Sequence, residues 1–153
     1  MAQSFSDYLH FLDGLGEIFD QLCVIEQDKV SAVRAGSLDK LNECIRQEQA
    51  VSLKLKGCEQ RQRRMLEELG LANVTLRELS RHCPPELRED AQRTIDRLLR
   101  KYQVLRSAQE PARILMETQL HGIEAELKRR GMDLEVEEHY GPSANPGHTD
   151  LKV

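Results

Sequence analysis

The sequence contains no tryptophan, and its aromatic residues amount to only 4% of the chain. Runs of Val, Ile, Thr and Tyr with the two-residue alternation of a half-buried strand are also absent. These absences argue against a β-sandwich or a β-barrel. Leu, Glu, Arg, Gln and Ala dominate instead, and that composition is typical of long helices. We therefore expect an all-α protein.

Long apolar runs are missing as well. No stretch approaches the roughly 20 consecutive apolar residues that cross a bilayer. The segment "MAQSFSDYLH" also lacks the basic region followed by an apolar run that a secretory signal peptide has. We therefore expect a cytoplasmic protein that does not insert into a membrane.

Clusters of residues typical of catalytic or metal sites are absent. Cys23, Cys44, Cys58 and Cys83 are far apart and form no CxxC pair, so neither a zinc site nor a disulfide framework is indicated. The five histidines are scattered, and no glycine-rich loop follows a strand to hold phosphate. We expect no enzymatic activity, no cofactor and no metal ion, and we expect the cysteines to pack as free thiols.

Most of the chain has no excess of positive or negative charge. The net charge is −4, and residues 132–153 contain five acids and one lysine. The residues before this segment therefore contain as many acids as bases. Nucleic-acid binding needs a concentrated basic face, so a neutral body with an acidic tail argues against a nucleic-acid partner.

What the sequence does have is helical periodicity in three long stretches. In the first stretch, apolar residues recur three and four apart, which predicts a helix with one broad buried face. The segment "RAGSLDKL", residues 34–41, follows: Gly36 suits the left-handed end of one helix and Ser37 the cap of the next. A connection this short favours an antiparallel hairpin. The apolar residues of the first stripe are Phe5, Leu9, Leu12, Leu15, Phe19 and Leu22.

The second stretch predicts a helix from Leu38 to Leu69, ended by Gly70. Polar residues interrupt its apolar stripe, and the first helix shows the same interruption at Glu26 and Lys29. We interpret polar residues on such a seam as setting the register between helices or as partly solvated. The polar residues of the second stripe are Glu48, Ser52, Glu59 and Gln62.

A short helix is predicted between the second and third long helices. Thr75 and Glu78 form a capping box that opens it, and it ends near His82. Pro84 and Pro85 then break the chain and suit the first turn of another helix.

The third stretch predicts a helix from Glu86 to a basic last turn closed by Gly131. At ~1.5 Å per residue this helix would extend ~65 to 70 Å. Pro111 lies inside it and cannot donate a hydrogen bond to the carbonyl of Ser107, so we expect a kink there.

These patterns predict two regions. Residues 1–131 are expected to form one helical bundle domain, an elongated antiparallel hairpin or bundle of three long helices plus one short helix. Residues 132–153 have two proline-containing turns, a run of acids and no sustained period. We expect this second region to be a mobile acidic tail.

The order of these features resembles the FlgN-like family of flagellar type III export chaperones. The resemblance rests on "EQDKVSAVRAGSLDKL" at residues 26–41, "QEQAVSLKLKGCEQRQRRMLEELG" at residues 47–70 and "TLRELSRHCPPELRE" at residues 75–89. The segment "HYGPSA", residues 139–144, is also similar to the "YGP" ending of that family.

The resemblance implies an α-helical cytosolic chaperone. Such a protein binds the C-terminal amphipathic helices of flagellar hook-associated proteins, which form the hook-filament junction. It prevents their premature assembly and delivers them to the flagellar export apparatus. The alternative is a self-associating coiled-coil adaptor or scaffold, in which a second copy fills the helical grooves. A weak homo-oligomer is a separate expectation about partners.

The client surface is predicted on the last helix after Pro111, together with the tail. A kink at Pro111 would let the apolar residues that follow it diverge from the opening hairpin and leave them uncovered. Apolar residues of the tail follow directly and could order on binding. Acids of the tail would mainly steer a basic client. The predicted client-binding residues are Leu115, Leu120, Ile123, Leu127, Met132, Leu134 and Tyr140.

Overall fold

The computed structural model of the chain describes residues 2–131 and contains no β-strand among them. The predicted all-α fold is confirmed. None of the helices in this range is both long and apolar enough to cross a membrane. The predicted tail, residues 132–153, lies outside the described residues. The long α-helices are α1 (Ala2–Arg34), α2 (Leu38–Glu68) and α3 (Arg88–Arg129), and two 3₁₀ helices (Leu76–His82 and Pro85–Leu87) lie between α2 and α3.

The connection between α1 and α2 is the tight turn that "RAGSLDKL" predicts. Gly36 has a φ of 68°, and its N–H donates to the carbonyl of Val33 at 3.0 Å. The side chain of Ser37 caps α2 by accepting a hydrogen bond from the N–H of Lys40 at 3.3 Å. One residue therefore ends the first helix and the next one starts the second.

We expect Gly36→Val to lower the free energy of unfolding by about 1 kcal/mol or more, because a β-branched side chain is strained at positive φ. The matched control is Gly57→Ala in the middle of α2, where nothing lies within 4 Å of an added Cβ. That change should raise the free energy of unfolding by about 0.5 to 1 kcal/mol. Urea denaturation of both variants measures the difference. If Gly36→Val changed the free energy of unfolding in the same direction and by the same amount as Gly57→Ala, the turn would not require glycine.

Two side-chain contacts show that α2 runs antiparallel to α1. Near the start of α1, the Gln62 amide donates to the hydroxyl of Tyr8 at 3.1 Å. Near its end, Lys29 lies 2.8 Å from Glu48. Moving forward along α1 therefore means moving backward along α2, and the predicted hairpin is confirmed.

The third helix runs parallel to α1. Arg97 pairs with Asp13 at 2.9 Å, and Lys101 pairs with Asp20 at 2.8 Å. α1 packs closely against both α2 and α3, whereas α2 and α3 approach each other less closely. α1 is thus the central helix of an up-down-up arrangement.

The hydrophobic core lies along the first two thirds of α1. All six apolar residues predicted for its first stripe are buried. One continuous cluster joins them to Leu55 of α2, to the 3₁₀ helix Leu76–His82 and to α3 as far as Leu105. Leu38, the first residue of α2, is 67% exposed, because it lies at the tip of the hairpin, where no helix covers it.

The segment between α2 and α3 differs from its prediction in two ways. The helix Leu76–His82 is a 3₁₀ helix, and no side-chain hydrogen bond caps it at Thr75, so the predicted capping box is wrong. α3 begins at Arg88, after a 3₁₀ turn that contains Pro85. A seven-residue helix has few backbone bonds of its own, so its packing on the core decides its form.

α3 extends past the end of the hairpin. Its pairs with α1 join residues 84 and 81 positions apart. Continued to Arg34, these offsets place the last residue of α1 beside residues 115–118 of α3. The rest of α3, as far as Arg129, projects ~17 to 21 Å beyond the turn. Pro111 lies inside this continuous helix, and the predicted kink at that position stays a prediction.

Candidate functional site

The predicted client-binding residues of α3 lie on its last third, where the helix passes the hairpin turn. The buried residues of α3 end at Ala112. Beyond that point Leu115, Leu120 and Leu127 are half-buried, and Ile123 is 51% exposed. This part of the helix therefore presents apolar side chains that no other described residue covers completely.

Three of these residues share a face of the helix and one does not. Leu120, Ile123 and Leu127 are spaced three and four apart, which places them in one row. Leu115 is five residues before Leu120, or about 140° around the helix axis. Met116 has the right spacing, is also half-buried, and was missed. We call Met116, Leu120, Ile123 and Leu127 the distal stripe.

The other predicted site residues cannot be compared with the structure. Met132, Leu134 and Tyr140 lie outside the described residues, so their part in the predicted surface is untested. Gly131 ends α3 with a φ of 73°, and its N–H donates to the carbonyl of Lys128 at 3.0 Å. Leu127, the last residue of the distal stripe, thus lies four residues before Gly131, which is about one turn of helix.

Ion pairs within α3 flank the distal stripe. Arg113 pairs with Glu110 and Glu117, and both Arg129 and Arg130 pair with Glu126. The Arg113 guanidinium hydrogen-bonds to Glu110 and holds the pKa of that carboxyl below its usual range. Pairs three and four residues apart stabilise a helix from within. They support the helical form of this projecting segment without contacts to α1 or α2.

A group of three buried charges joins α1 to α2 near the hairpin end. The Lys29 ammonium donates to the two carboxylate oxygens of Glu48 at 3.0 and 2.8 Å, and lies 3.3 Å from an oxygen of Glu26. Lys29 is 7% exposed, Glu26 1% and Glu48 0%. These three residues are therefore not solvated, and their pairing fixes which positions of α1 and α2 face each other. We call Glu26, Lys29 and Glu48 the charge triad.

The charge triad holds two carboxylates and one ammonium group. Burial raises the pKa of Glu26 to about 8, and its hydrogen bond and like charge with Glu48 add to the effect, while Lys29 opposes it. A proton on Glu26 makes the triad neutral, which is the state that a buried site favours.

Comparison with known protein families identifies the family of this chain. The model of the FlgN protein family matches residues 1–146. The chain belongs to the FlgN family. FlgN proteins are chaperones of flagellum biogenesis, so this chain is a FlgN-like flagellar export chaperone. No curated protein and no solved structure matches it.

The charge triad makes the stability of this FlgN-family chain depend on pH. Because the pKa of Glu26 is about 8 in the folded chain and 4.5 ordinarily, the folded state binds the extra proton between these values. The free energy of unfolding should therefore be highest below about pH 4.5, as far as Glu26 is concerned, and fall until about pH 8. Urea denaturation of the parent and of Glu26→Gln measures this: the variant should lose less stability than the parent between pH 5 and 8. Parallel curves would contradict the assignment.

A cavity of about 610 Å³ lies between α2 and the segment that follows it. Its apolar lining includes Leu66, Val74 and Leu79. Glu59, Arg63 and Glu67 also line it, so charges of both signs face it. No sequence signal indicated this cavity, because it depends on how the chain returns from α2 to α3.

The described part of this FlgN-family chain presents apolar surface that another protein could contact. Among residues 2–131, no three His, Cys, Asp or Glu side chains are grouped so that they could hold a metal ion. The distal stripe contains only apolar side chains, which suit the binding of another apolar surface.

Proposed function

We propose that this chain is a cytoplasmic export chaperone for flagellar hook-associated proteins. It binds their C-terminal amphipathic helices, prevents premature assembly and delivers them to the flagellar export apparatus. The observation that supports this proposal is the distal stripe on the part of α3 that projects past the hairpin.

An amphipathic helix is a suitable partner for this surface. The distal stripe has its apolar residues in one row along about three turns of helix, and a client helix with its own apolar row would pack along it. Burying one large apolar side chain contributes roughly 1.5 to 3 kcal/mol. Three or four such residues can therefore supply most of the affinity, as a small number of anchors does in other interfaces.

The tail would complete the site from the other side. Met132, Leu134 and Tyr140 follow the distal stripe along the chain, so a client helix could lie between α3 and a segment that orders on binding. Glu135, Glu137 and Glu138 would steer a basic client and make association depend on salt.

The experiment that tests this function uses the hook-associated proteins encoded in the same genome. Each is prepared at full length and without its C-terminal helix, and is titrated into the chain in a calorimeter. We expect the full-length client to bind and the shortened client not to bind. Equal binding of both forms would contradict the proposal. An obligate dimer that binds neither form would favour the self-associating adaptor.

A further inference from the structure

The outer face of α2 carries a cluster of basic side chains. From Gln49 to Leu66 the chain contains five bases and a single acid, Glu59. Glu59 is half-buried, whereas all five bases are exposed. The bases extend over about 15 Å of helix. We call these five residues the basic face: Lys54, Lys56, Arg61, Arg63 and Arg64.

The bases surround an exposed leucine. Leu53 is 72% exposed and lies two residues before the buried Leu55, so it is on the side of α2 opposite the core. Arg64 follows Leu53 by about three turns and lies in the same row, and the other four bases lie within about 100° of that row on either side. Gly57 lies among them, and nothing is within 4 Å of the position of an added Cβ there. The centre of the basic face is therefore convex, without a groove.

The bases of this face have no acidic partner among residues 2–131. Exposed arginines of α3, such as Arg97 and Arg113, pair with carboxylates. None of the five bases forms such a pair. Glu67 and Glu68 are exposed one turn beyond Arg64, but they do not pair with it. An anionic partner could therefore bind here without breaking an ion pair.

The run of acids at residues 133–138 is too far away to neutralise this face in the same chain. Gly131 lies past the hairpin turn, whereas Lys54 lies about 25 Å back along α2 from that turn. The separation along the helix axes is therefore roughly 40 Å or more. Glu138 is seven residues beyond Gly131, and a chain of that length reaches at most ~25 Å. This run of acids leaves the basic face to another molecule.

A negatively charged bilayer surface fits the basic face better than a protein helix does. A partner helix binds along a groove, and this face is convex at its centre. The anionic head groups of a bilayer form a broad surface, which long Lys and Arg side chains can reach from both flanks of the row. Each base near such a surface raises the affinity about fivefold. Leu53 adds an apolar side chain directed at the same surface.

We propose that α2 adsorbs through the basic face to the surface of an anionic lipid bilayer, without any helix crossing the bilayer. The basic face and the distal stripe lie on opposite sides of the hairpin turn, about 25 Å or more apart along the axes. A client on the distal stripe would therefore leave the basic face free. The adsorption does not rest on the proposed function, and it is measured without a client.

The first experiment mixes the full chain with sedimenting vesicles of phosphatidylcholine, with and without phosphatidylglycerol as the anionic lipid. We expect the partition coefficient to be about tenfold or more higher with the anionic vesicles. Raising the salt from about 0.05 to about 0.5 M should remove this difference, because salt screens exposed charges. Equal partition into both kinds of vesicle would overturn the proposal. Binding to soluble polyglutamate without binding to anionic vesicles would also overturn it, because the partner would then be an acidic protein.

The second experiment tests the assigned residues. Lys56→Gln together with Arg64→Gln should lower the partition coefficient about tenfold or more. Both residues are exposed, so the fold should be retained, and circular dichroism checks this. The matched control, Lys40→Gln together with Arg100→Gln, removes the same charge at exposed positions outside the basic face and should change the coefficient little. Equal losses in the two double variants would contradict the assignment of this face.

The third experiment shows which face touches the lipid. The native chain has no tryptophan, so Leu53→Trp places a single reporter in the basic face. Val104→Trp places one on α3, where the native side chain is 53% exposed. Brominated phosphatidylglycerol vesicles should quench the reporter at position 53 about twofold or more, because tryptophan lies readily at a membrane interface, and should leave position 104 unquenched. No quenching at position 53, or equal quenching at both positions, would overturn the proposal.

Discussion

Replacing Lys29 with methionine should lower the free energy of unfolding by about 3 to 5 kcal/mol at pH 7. The change keeps a long side chain but removes the ammonium group that Glu48 contacts through both carboxylate oxygens. Glu48 is completely buried and would be left without a cation. An uncompensated buried charge is among the most destabilising features of a folded protein. Urea denaturation measures the loss.

The matched control is Lys101→Met. Lys101 also pairs with a carboxylate across a helix interface, at 2.8 Å from Asp20, but its side chain is 31% exposed and that of Asp20 is 57% exposed. Water can replace the lost partner there, so we expect a change of about 1 kcal/mol or less. Equal losses in the two variants would show that burial of the charge triad does not determine its contribution.

The second large effect concerns client binding. Ile123→Asp together with Leu127→Asp places two carboxylates in the distal stripe, where the proposed client helix packs. Losing two anchors of roughly 1.5 to 3 kcal/mol each should weaken binding of a hook-associated protein by about 100-fold or more. Neither residue is buried, so the fold should be retained. Calorimetric titration measures the dissociation constant.

Ile114→Asp is the control for this pair. Ile114 and Ile123 are both 51% exposed and lie on the same part of α3. They are nine residues apart and therefore on opposite sides of the helix, about 180° apart. We expect Ile114→Asp to bind the client like the parent. Truncation after Gly131 should weaken binding if the tail completes the site. If the double variant and the truncated chain both bind like the parent, the site lies elsewhere.

The periodic parts of the fold could be predicted from the sequence. The row from Phe5 to Leu22 has the spacing of a buried helical face, and all of its predicted members are buried. Gly36 and Ser37 are a helix end followed directly by a helix cap, so they also predicted the turn and the antiparallel course of α2. These features depend on neighbours within a few residues, which the sequence shows directly.

The contacts between helices could not be predicted in the same way. The polar residues Glu26, Lys29 and Glu48 interrupt their stripes visibly, but periodicity does not tell which positions of two helices face each other. The structure shows which positions of α1 and α2 face each other, and it shows that these three polar residues form a buried group of ion pairs. The 3₁₀ form of Leu76–His82 is a similar case, because packing on the core overrides a cap that is only local.

The apolar row of the candidate site could be predicted only in part for the same reason. Helical spacing put Leu120, Ile123 and Leu127 in one row, but Met116 belongs to that row where Leu115 was named. The length of α3 could be estimated from the sequence. Its projection past Arg34 depends on the alignment of α3 with α1, which the pairs Asp13–Arg97 and Asp20–Lys101 define.

The central claim is that a client helix lies on the distal stripe, and photo-crosslinking tests it most directly. A photoreactive benzoylphenylalanine is placed at position 123 or at position 114, and each chain is irradiated with a full-length hook-associated protein. The account predicts a crosslink from position 123 to the C-terminal helix of the client and none from position 114. Crosslinks from position 114 alone, or from 123 to another part of the client, would contradict it.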